Sequence, residues 1–256
     1  MSDNNGQNSV EKALSIVANI VLYDGTRKLR EIAHDLDMTV PTVYRHVAAL
    51  QERGFLTQVR RGAYVPGLTL QAIAGHCSKR EMVRKIARPI LAKLAKKLDG
   101  VCHMATWEDD MVTYIIKSEI DGKDLFTQES TQLEGYCSGL GKVLLSTLDD
   151  QSLEYYLKAG EFMFFTDNTI TEPEKIRERI YEARQNKYAL DNGEIQDDLF
   201  CVAVPIESHV LEFPLSISLS RANLPHRHWP NLDQDLRELR KAGKLIASII
   251  DSVVAQ

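Results

Sequence analysis

Cysteine is scarce in this chain, and none of it is arranged for metal or redox work. Cys77, Cys102, Cys137 and Cys201 lie far apart, with no Cys-x-x-Cys and no cysteine–histidine pair at ligand spacing. That pattern excludes a zinc module and a disulfide-stapled scaffold. Cys102 and His103 are adjacent, but on a strand they face opposite sides and form no chelate. Free thiols in a reducing compartment are the expectation. Long hydrophobic runs are also missing: no segment approaches the about 18 consecutive apolar residues of a membrane span. The opening Met-Ser-Asp-Asn-Asn-Gly-Gln-Asn has neither the basic start nor the apolar core of a secretion signal. No Walker loop, dinucleotide fingerprint or zinc-protease motif occurs. A cytoplasmic protein without cofactor, metal or membrane contact is therefore expected.

What is present is a chain of 256 residues, long enough for two domains, with an ordinary 44% of hydrophobic residues. Its net charge of −5 hides a split. Residues 1–98 hold 16 Lys and Arg against 8 Asp and Glu, or +8, whereas residues 99–256 hold 15 against 28, or −13. A basic front and an acidic rear suit a protein whose front alone faces a polyanion. Chance segregation of surface charge is the plain alternative.

Within the basic part, residues 29–50 read as two short amphipathic helices joined by a tight turn, the layout of a helix-turn-helix. Ile32, Ala33 and Leu36 make one apolar face, and Val43, Val47 and Leu50 another at i, i+4, i+7 spacing. Asp37-Met38-Thr39 supplies the break. Thr39 is placed to cap the second helix, and Pro41 falls in its first turn, where a missing N–H costs nothing. The outward side then carries Thr42, Tyr44, Arg45 and His46. A helical hairpin inside a core would share this pattern. The next segment of the chain favours the nucleic-acid reading: residues 55–59 and 63–65 are strand-like around Arg60-Arg61-Gly62, a hairpin with two arginines at its tip. After a helix-turn-helix such a hairpin is a wing, and its arginines suit phosphate contact. The expected DNA-facing set is Thr39, Thr42, Tyr44, Arg45, Arg60 and Arg61, on a pseudo-palindromic duplex operator if the protein is dimeric. Upstream, Val10, Ala13, Leu14, Val17, Ile20 and Val21 form the stripe of a closing helix.

Beyond a short helix at 68–75 comes a basic amphipathic helix at 79–98, with Pro89 expected to kink it. It reads as a linker packed on a partner subunit or on the next domain. Residues 101–108 and 111–117 form a hairpin around Asp109-Asp110. Helices are expected at 139–147, 151–159, 172–187 and 231–254, and strands at 200–206 and 213–220. The result is an α+β domain. Two features in it invite a ligand. Small residues at 135–142 lead into a helix start, a place for an anion or simply a loop-to-helix turn. Ser216, Ser218 and Ser220 share one strand face, which is either solvated or looks into a polar pocket. Cys201 reads as an inert core thiol more readily than as a nucleophile, because the sequence brings no base to it.

Taken in order, Leu29-Arg-Glu-Ile-Ala33, Thr42-Val-Tyr-Arg45, Ser138-Gly-Leu-Gly-Lys142-Val-Leu-Leu145 and Glu194…Cys201-Val-Ala-Val-Pro205 resemble the IclR family of bacterial transcription regulators. Thr169-Ile-Thr-Glu-Pro173 and Tyr188-Ala-Leu-Asp191 fit the same spacing, and the likeness runs from about Val10 to Val254. The polar start reads as a disordered tail at 1–9, and the resemblance implies a winged helix-turn-helix at 10–77, a linker helix at 78–99 and a GAF-like effector-binding domain at 100–256. It implies a homodimer or homotetramer that senses a small organic acid or aromatic catabolite and controls a catabolic operon as repressor or activator. By position it implies Leu133, Gly139, Leu140, Asp191, Cys201, Ser218 and Ser220 as effector contacts, with Met104, Tyr114 or Phe126 adding apolar wall. No enzyme activity is implied. The chain departs from the family pattern at Asp198, where Gly is usual, at Glu134 and Cys137, and at Val40-Pro41 in the recognition helix. A GAF-like sensor whose front module binds protein, or a cysteine-dependent enzyme, would be the alternatives.

Overall fold

The structure is a computed structural model that describes residues 4–23, 25–76, 78–120, 125–224 and 229–254, with the side chains of residues 4–8 and 76 left aside; Cys77 lies outside this set. The chain divides after Ser78 into two compact units.

The first unit is a helical core with a hairpin. Helix α1 (Asn4–Leu22) leads to α2 (Leu29–Asp35) and α3 (Val40–Glu52), then β1 (Leu56–Arg60), β2 (Ala63–Pro66) and α4 (Leu68–His76). Helix α1 begins inside the stretch expected as a tail, as elongating an existing helix costs little once its first turn exists. Ile16, Ile20, Leu29, Ile32, Ala33, Val43, Val47, Leu56 and Tyr64 form the core. The stripe expected on α1 is corrected here. Ile16 and Ile20 turn inward, while Val10, Leu14 and Val21 are 61%, 64% and 42% exposed. At 3.6 residues per turn the two sets lie about 120° apart around the helix, so the apolar arc is wider than one buried face. The turn between α2 and α3 closes through the Met38 N–H on the Ala33 carbonyl (2.8 Å) and a left-handed Asp37 (φ 49°). Gly25 is required twice over: its φ is +63°, and a Cβ there would stand 2.2 Å from the Tyr64 carbonyl oxygen.

The second unit is a six-stranded antiparallel sheet between helical layers. Helix α5 (Lys79–Leu98) is followed by β3 (Val101–Glu108), β4 (Met111–Ser118), β5 (Gln132–Leu133), α6 (Gly139–Leu145), α7 (Asp150–Ala159), α8 (Pro173–Asn186), β6 (Ala189–Asn192), β7 (Leu199–Ile206), β8 (Leu215–Ala222) and α9 (Leu232–Val254). The strand order is β5-β4-β3-β8-β7-β6. Asp109 and Asp110, both at positive φ, make the β3–β4 turn. Alternation along the strands decides the layers. Cys102, Met104, Val202, Val204, Ile217 and Leu219 meet α5 and α9 on one face. Ala105, Tyr114 and Ala203 meet α6 and α8 on the other. Helix α5 runs through Pro89 as one element and buries Val83, Ala87, Leu91 and Leu94 in this unit's own core. This is the layering expected of a GAF-like domain. Strands β5 and β6, of two and four residues, are too short to carry a periodic signal and do not figure in the sequence-based expectation.

Candidate functional site

In the first unit, Thr39 takes the N-cap position of α3, but its hydroxyl bonds the Thr42 hydroxyl (2.8 Å) and makes no side-chain cap to a backbone N–H. Tyr44 and Arg45 are exposed and Thr42 is half-buried. His46 is a correction: it is only 9% exposed and belongs to the packed side. Burial first, then the nearby Arg45 and Lys12 charges, hold its imidazole below the usual range. Arg60 pairs with Ala63 at the end of the hairpin, and Arg61 with Gly62 forms its turn, both arginines exposed. Thr39, Tyr44, Arg45, Arg60 and Arg61 are thus solvent-facing on the first unit, whose net charge is close to zero because most of the basic excess of residues 1–98 lies on α5.

In the second unit, the alternate faces of β3 and β8 turn His103, Ser218 and Ser220 toward α6, and β6 and β7 add Asp191 and Cys201. Together with Tyr114, Leu125, Phe126, Thr127, Leu133, Ser138, Gly139 and Leu140 they line one cavity. All seven positions carried over from the family resemblance therefore meet in one place. Met104 does not, because it lies on the opposite sheet face in the α5/α9 core. Ser216 shares the serine face but donates to the Val204 carbonyl (3.1 Å) instead of lining the cavity. The glycines at the α6 start have a packing reason of their own: a Cβ on Gly141 would lie 2.2–2.6 Å from the backbone of Gly135. The Gly141 N–H is capped by the Ser138 hydroxyl (3.0 Å).

The cavity is small and nearly closed, about 10 Å³, enough for one water molecule. Its polar groups are only partly satisfied. Asp191 Oδ1 accepts the Glu194 N–H (2.7 Å), while Asp191 Oδ2 and the Ser218 hydroxyl are buried without a hydrogen-bond partner. Burial pushes the Asp191 carboxyl up to about 7, against the opposing pull of Lys142 and the Glu194 N–H. Behind it lies a buried ion pair, Lys142 Nζ to Glu194 Oε1 at 2.5 Å, with the ammonium also donating to the Leu190 carbonyl (2.8 Å). Sequence spacing gives no sign of this cation's role, because its partner stands fifty-two residues away.

His103 is likewise a pocket group that sequence reasoning missed. Its Nε2 bonds the Thr127 hydroxyl (2.9 Å), its Nδ1 lies 3.4 Å from the Ser220 hydroxyl, and Tyr114 packs edge-on against its ring (5.2 Å). Burial pushes its pKa down to about 3, so the ring is neutral. Ser220 in turn donates to the Cys201 sulfur (3.1 Å), and burial, reinforced by Asp191, pushes that thiol well up. A neutral thiol beside a neutral imidazole is the reverse of an activated cysteine–histidine pair. Cys201 and His103 therefore do not form an activated nucleophile–base pair in this arrangement. Among the described residues no group of three or more His, Cys, Asp or Glu side chains is placed to hold a metal ion, and no helix is long and apolar enough to cross a membrane.

Comparison with known proteins matches residues 9–60 to the IclR helix-turn-helix domain and residues 76–246 to the bacterial transcriptional regulator IclR C-terminal domain. The chain is 27% identical over 239 residues to the HTH-type transcriptional regulator KipR of Bacillus subtilis, covering 91% of this chain and 94% of that one. Among solved structures it is similar to the Thermotoga maritima IclR (TM-score 0.62, 26% identity, 96% and 99% of the two chains). An IclR homolog from Microbacterium hydrocarbonoxydans, complexed with 4-hydroxybenzoate, shares the fold (TM-score 0.64, 18% identity, 95% and 99% covered).

Proposed function

This chain belongs to the IclR family of bacterial transcriptional regulators, and on that premise we propose how its own residues perform ligand-responsive DNA binding. Tyr44 and Arg45, with Thr39 and Thr42 at the helix start, read base edges and phosphates from α3. Arg60 and Arg61 hold the duplex backbone from the wing. The exposed stripe Val10, Leu14 and Val21 on α1 is the seat of a second copy, since these residues fall at i, i+4 and i+11 on one face. A homodimer, alone or paired into a tetramer, then meets a pseudo-palindromic operator with half-sites about one helical turn apart, or a multiple of it. Its partner is DNA, so its place of work is the cytoplasm.

The observation that carries the effector reading is the pair of unpartnered polar atoms, Asp191 Oδ2 and Ser218 Oγ, in a cavity whose apolar side is formed by Tyr114, Leu133, Leu140 and Phe126. Two buried orphaned groups are costly until a ligand supplies partners. A small monocarboxylate with an apolar body matches these groups chemically once the cavity opens: the Ser218 hydroxyl donates to the carboxylate, and a protonated Asp191 does the same. Gly139 and Leu140 present backbone at the mouth of α6, and Ser220 and Cys201 close the polar side. The nearby cation Lys142 is already committed to Glu194, so a dicarboxylate or phosphosugar gains no counter-charge from it. The 4-hydroxybenzoate held by the Microbacterium homolog is chemistry of the favoured kind. The neutral Cys201 thiol supports action by binding over cysteine-dependent turnover. A thermal-shift screen of catabolic acids tests this reading: monocarboxylates raise the melting temperature, and stabilisation by dicarboxylates or phosphosugars alone refutes it.

A further inference from the structure

A cavity of about 10 Å³ admits no organic acid until a wall moves. Most of its lining is fixed in the sheet or in α6. Beyond these stand Ile195, in the turn between β6 and β7, and the segment of residues 125–131, which carries Leu125, Phe126 and Thr127 along the edge of β4, with Phe126 half-exposed. One side of this segment is tied to the pocket by the Thr127–His103 hydrogen bond (2.9 Å). Two residues on, its other side is tied to α5. Both oxygens of Glu129 are gripped by Arg88 (2.8 Å each), Arg84 stands 3.7 Å away, and the Lys117 N–H donates to Glu129 at 3.0 Å. Solvent-exposed ion pairs are usually weak, but this one is bidentate, bridges two elements and is part-buried, the geometry in which such pairs matter. Burial works against the charged Glu129, yet Arg88, the Lys117 N–H and Arg84 together hold its carboxyl below the usual range, so the latch is ionised at neutral pH.

We propose that Glu129 is a positioning residue that latches the movable wall of the effector pocket to α5 through Arg88 and Arg84, so that a ligand entering the pocket loosens the latch and thereby reaches the helix that leaves the DNA-binding unit. The proposal rests on the effector-pocket reading. It makes two arginines and a glutamate, none of which lines the cavity, the link between occupancy and operator affinity. A ligand that displaces Thr127 pulls at Glu129 two residues away. Helix α5, whose first residue follows directly on the DNA-binding unit, then loses one polar tie to the pocket wall while its apolar face stays packed in the core.

The test uses the full-length protein without ligand, as Glu129→Gln, Arg88→Gln and the double variant. Hydrogen exchange is followed over residues 80–92 and 125–131, with anisotropy of a labelled duplex from the protein's own upstream region. Expected are faster exchange in both segments and a change of about two- to thirtyfold in operator affinity. The double variant should be no more affected than either single one, because both remove the same latch. The two substitutions lie on different elements, so a folding defect in one leaves the other as the readout. Faster exchange confined to residues 125–131 with unchanged operator affinity, or additive effects in the double variant, overturns the latch. If the wild type binds no upstream DNA at all, the operator assignment fails instead, and the exchange of residues 80–92 still decides the latch.

Discussion

Replacing Asp191 by Asn should make the second unit more stable at neutral and alkaline pH, and the gain should have a definite pH dependence. The carboxyl is buried, one oxygen has no partner, and its folded pKa is about 7 against an ordinary value of 3.8. A raised carboxyl pKa means that the folded state holds a proton the unfolded chain has already lost between those values. Stability therefore falls as pH rises through that window and levels off above the folded pKa. A window about three pH units wide, at about 1.36 kcal/mol per unit, gives an upper bound of about 4 kcal/mol. In Asp191→Asn the amide oxygen still accepts the Glu194 N–H and nothing titrates. The two proteins should match near pH 4 and diverge up to about pH 7, with the variant then ahead by at most about 4 kcal/mol. Both tryptophans, Trp107 and Trp229, lie in the second unit, so their fluorescence in urea titrations isolates it from the DNA-binding unit. Taking the difference between variant and wild type cancels every other titrating group. A difference that stays constant from about pH 4 to about pH 8 would refute the buried, unpartnered carboxyl.

On the proposed effector reading, a monocarboxylate placed beside Asp191 requires its proton, so affinity should weaken about tenfold per pH unit above about pH 7, measured by calorimetry, and lose that slope in Asp191→Asn. Arg45→Ala should lower operator affinity by about 1–3 kcal/mol, whereas Arg61→Ala should weaken all duplexes alike and reduce the salt slope by about one; equal loss on specific and random DNA for Arg45→Ala would remove it from base reading. Cys201→Ser, a near-isosteric exchange of a neutral thiol, should shift effector affinity modestly and abolish no turnover; a catalytic activity lost in that variant would overturn the binding-only assignment. Gly141→Ala forces a Cβ onto the Gly135 backbone and should cost about 1–3 kcal/mol in urea unfolding of the second unit; a neutral effect would mean that the α6 start relaxes freely.

Much of this molecule is legible in its sequence because its periodic elements are long. The apolar spacing marks α3, α5 and α9 as helices and the alternating serines of β8 as one polar face, while spacing alone leaves open whether that face meets solvent or a pocket. His46 carries a signal that points inward, against its assignment to the outer face: it stands three residues after Val43, on the same helical side. On α1 the sequence holds two apolar arcs, and only the packing of α2, α3 and the hairpin selects Ile16 and Ile20 over Leu14. His103, Thr127 and Glu194 belong to the site through strand register and long-range pairing, which one-dimensional spacing does not encode. The strain of the cavity is equally invisible there. Unpartnered Asp191 Oδ2 and Ser218 Oγ exist only once the whole wall is closed around them.

The central claim is that this chain binds operator DNA under the control of an acid held in the second unit. An anisotropy titration of full-length protein on its own upstream duplex, with and without the monocarboxylate that most raises the melting temperature, tests it in one measurement. Salt-dependent specific binding whose affinity shifts with that acid in the wild type, but not when Ser218→Val and Asp191→Leu remove the two orphaned polar groups, is the predicted result. Operator binding indifferent to every stabilising acid, or an acid response that survives both substitutions, would contradict it.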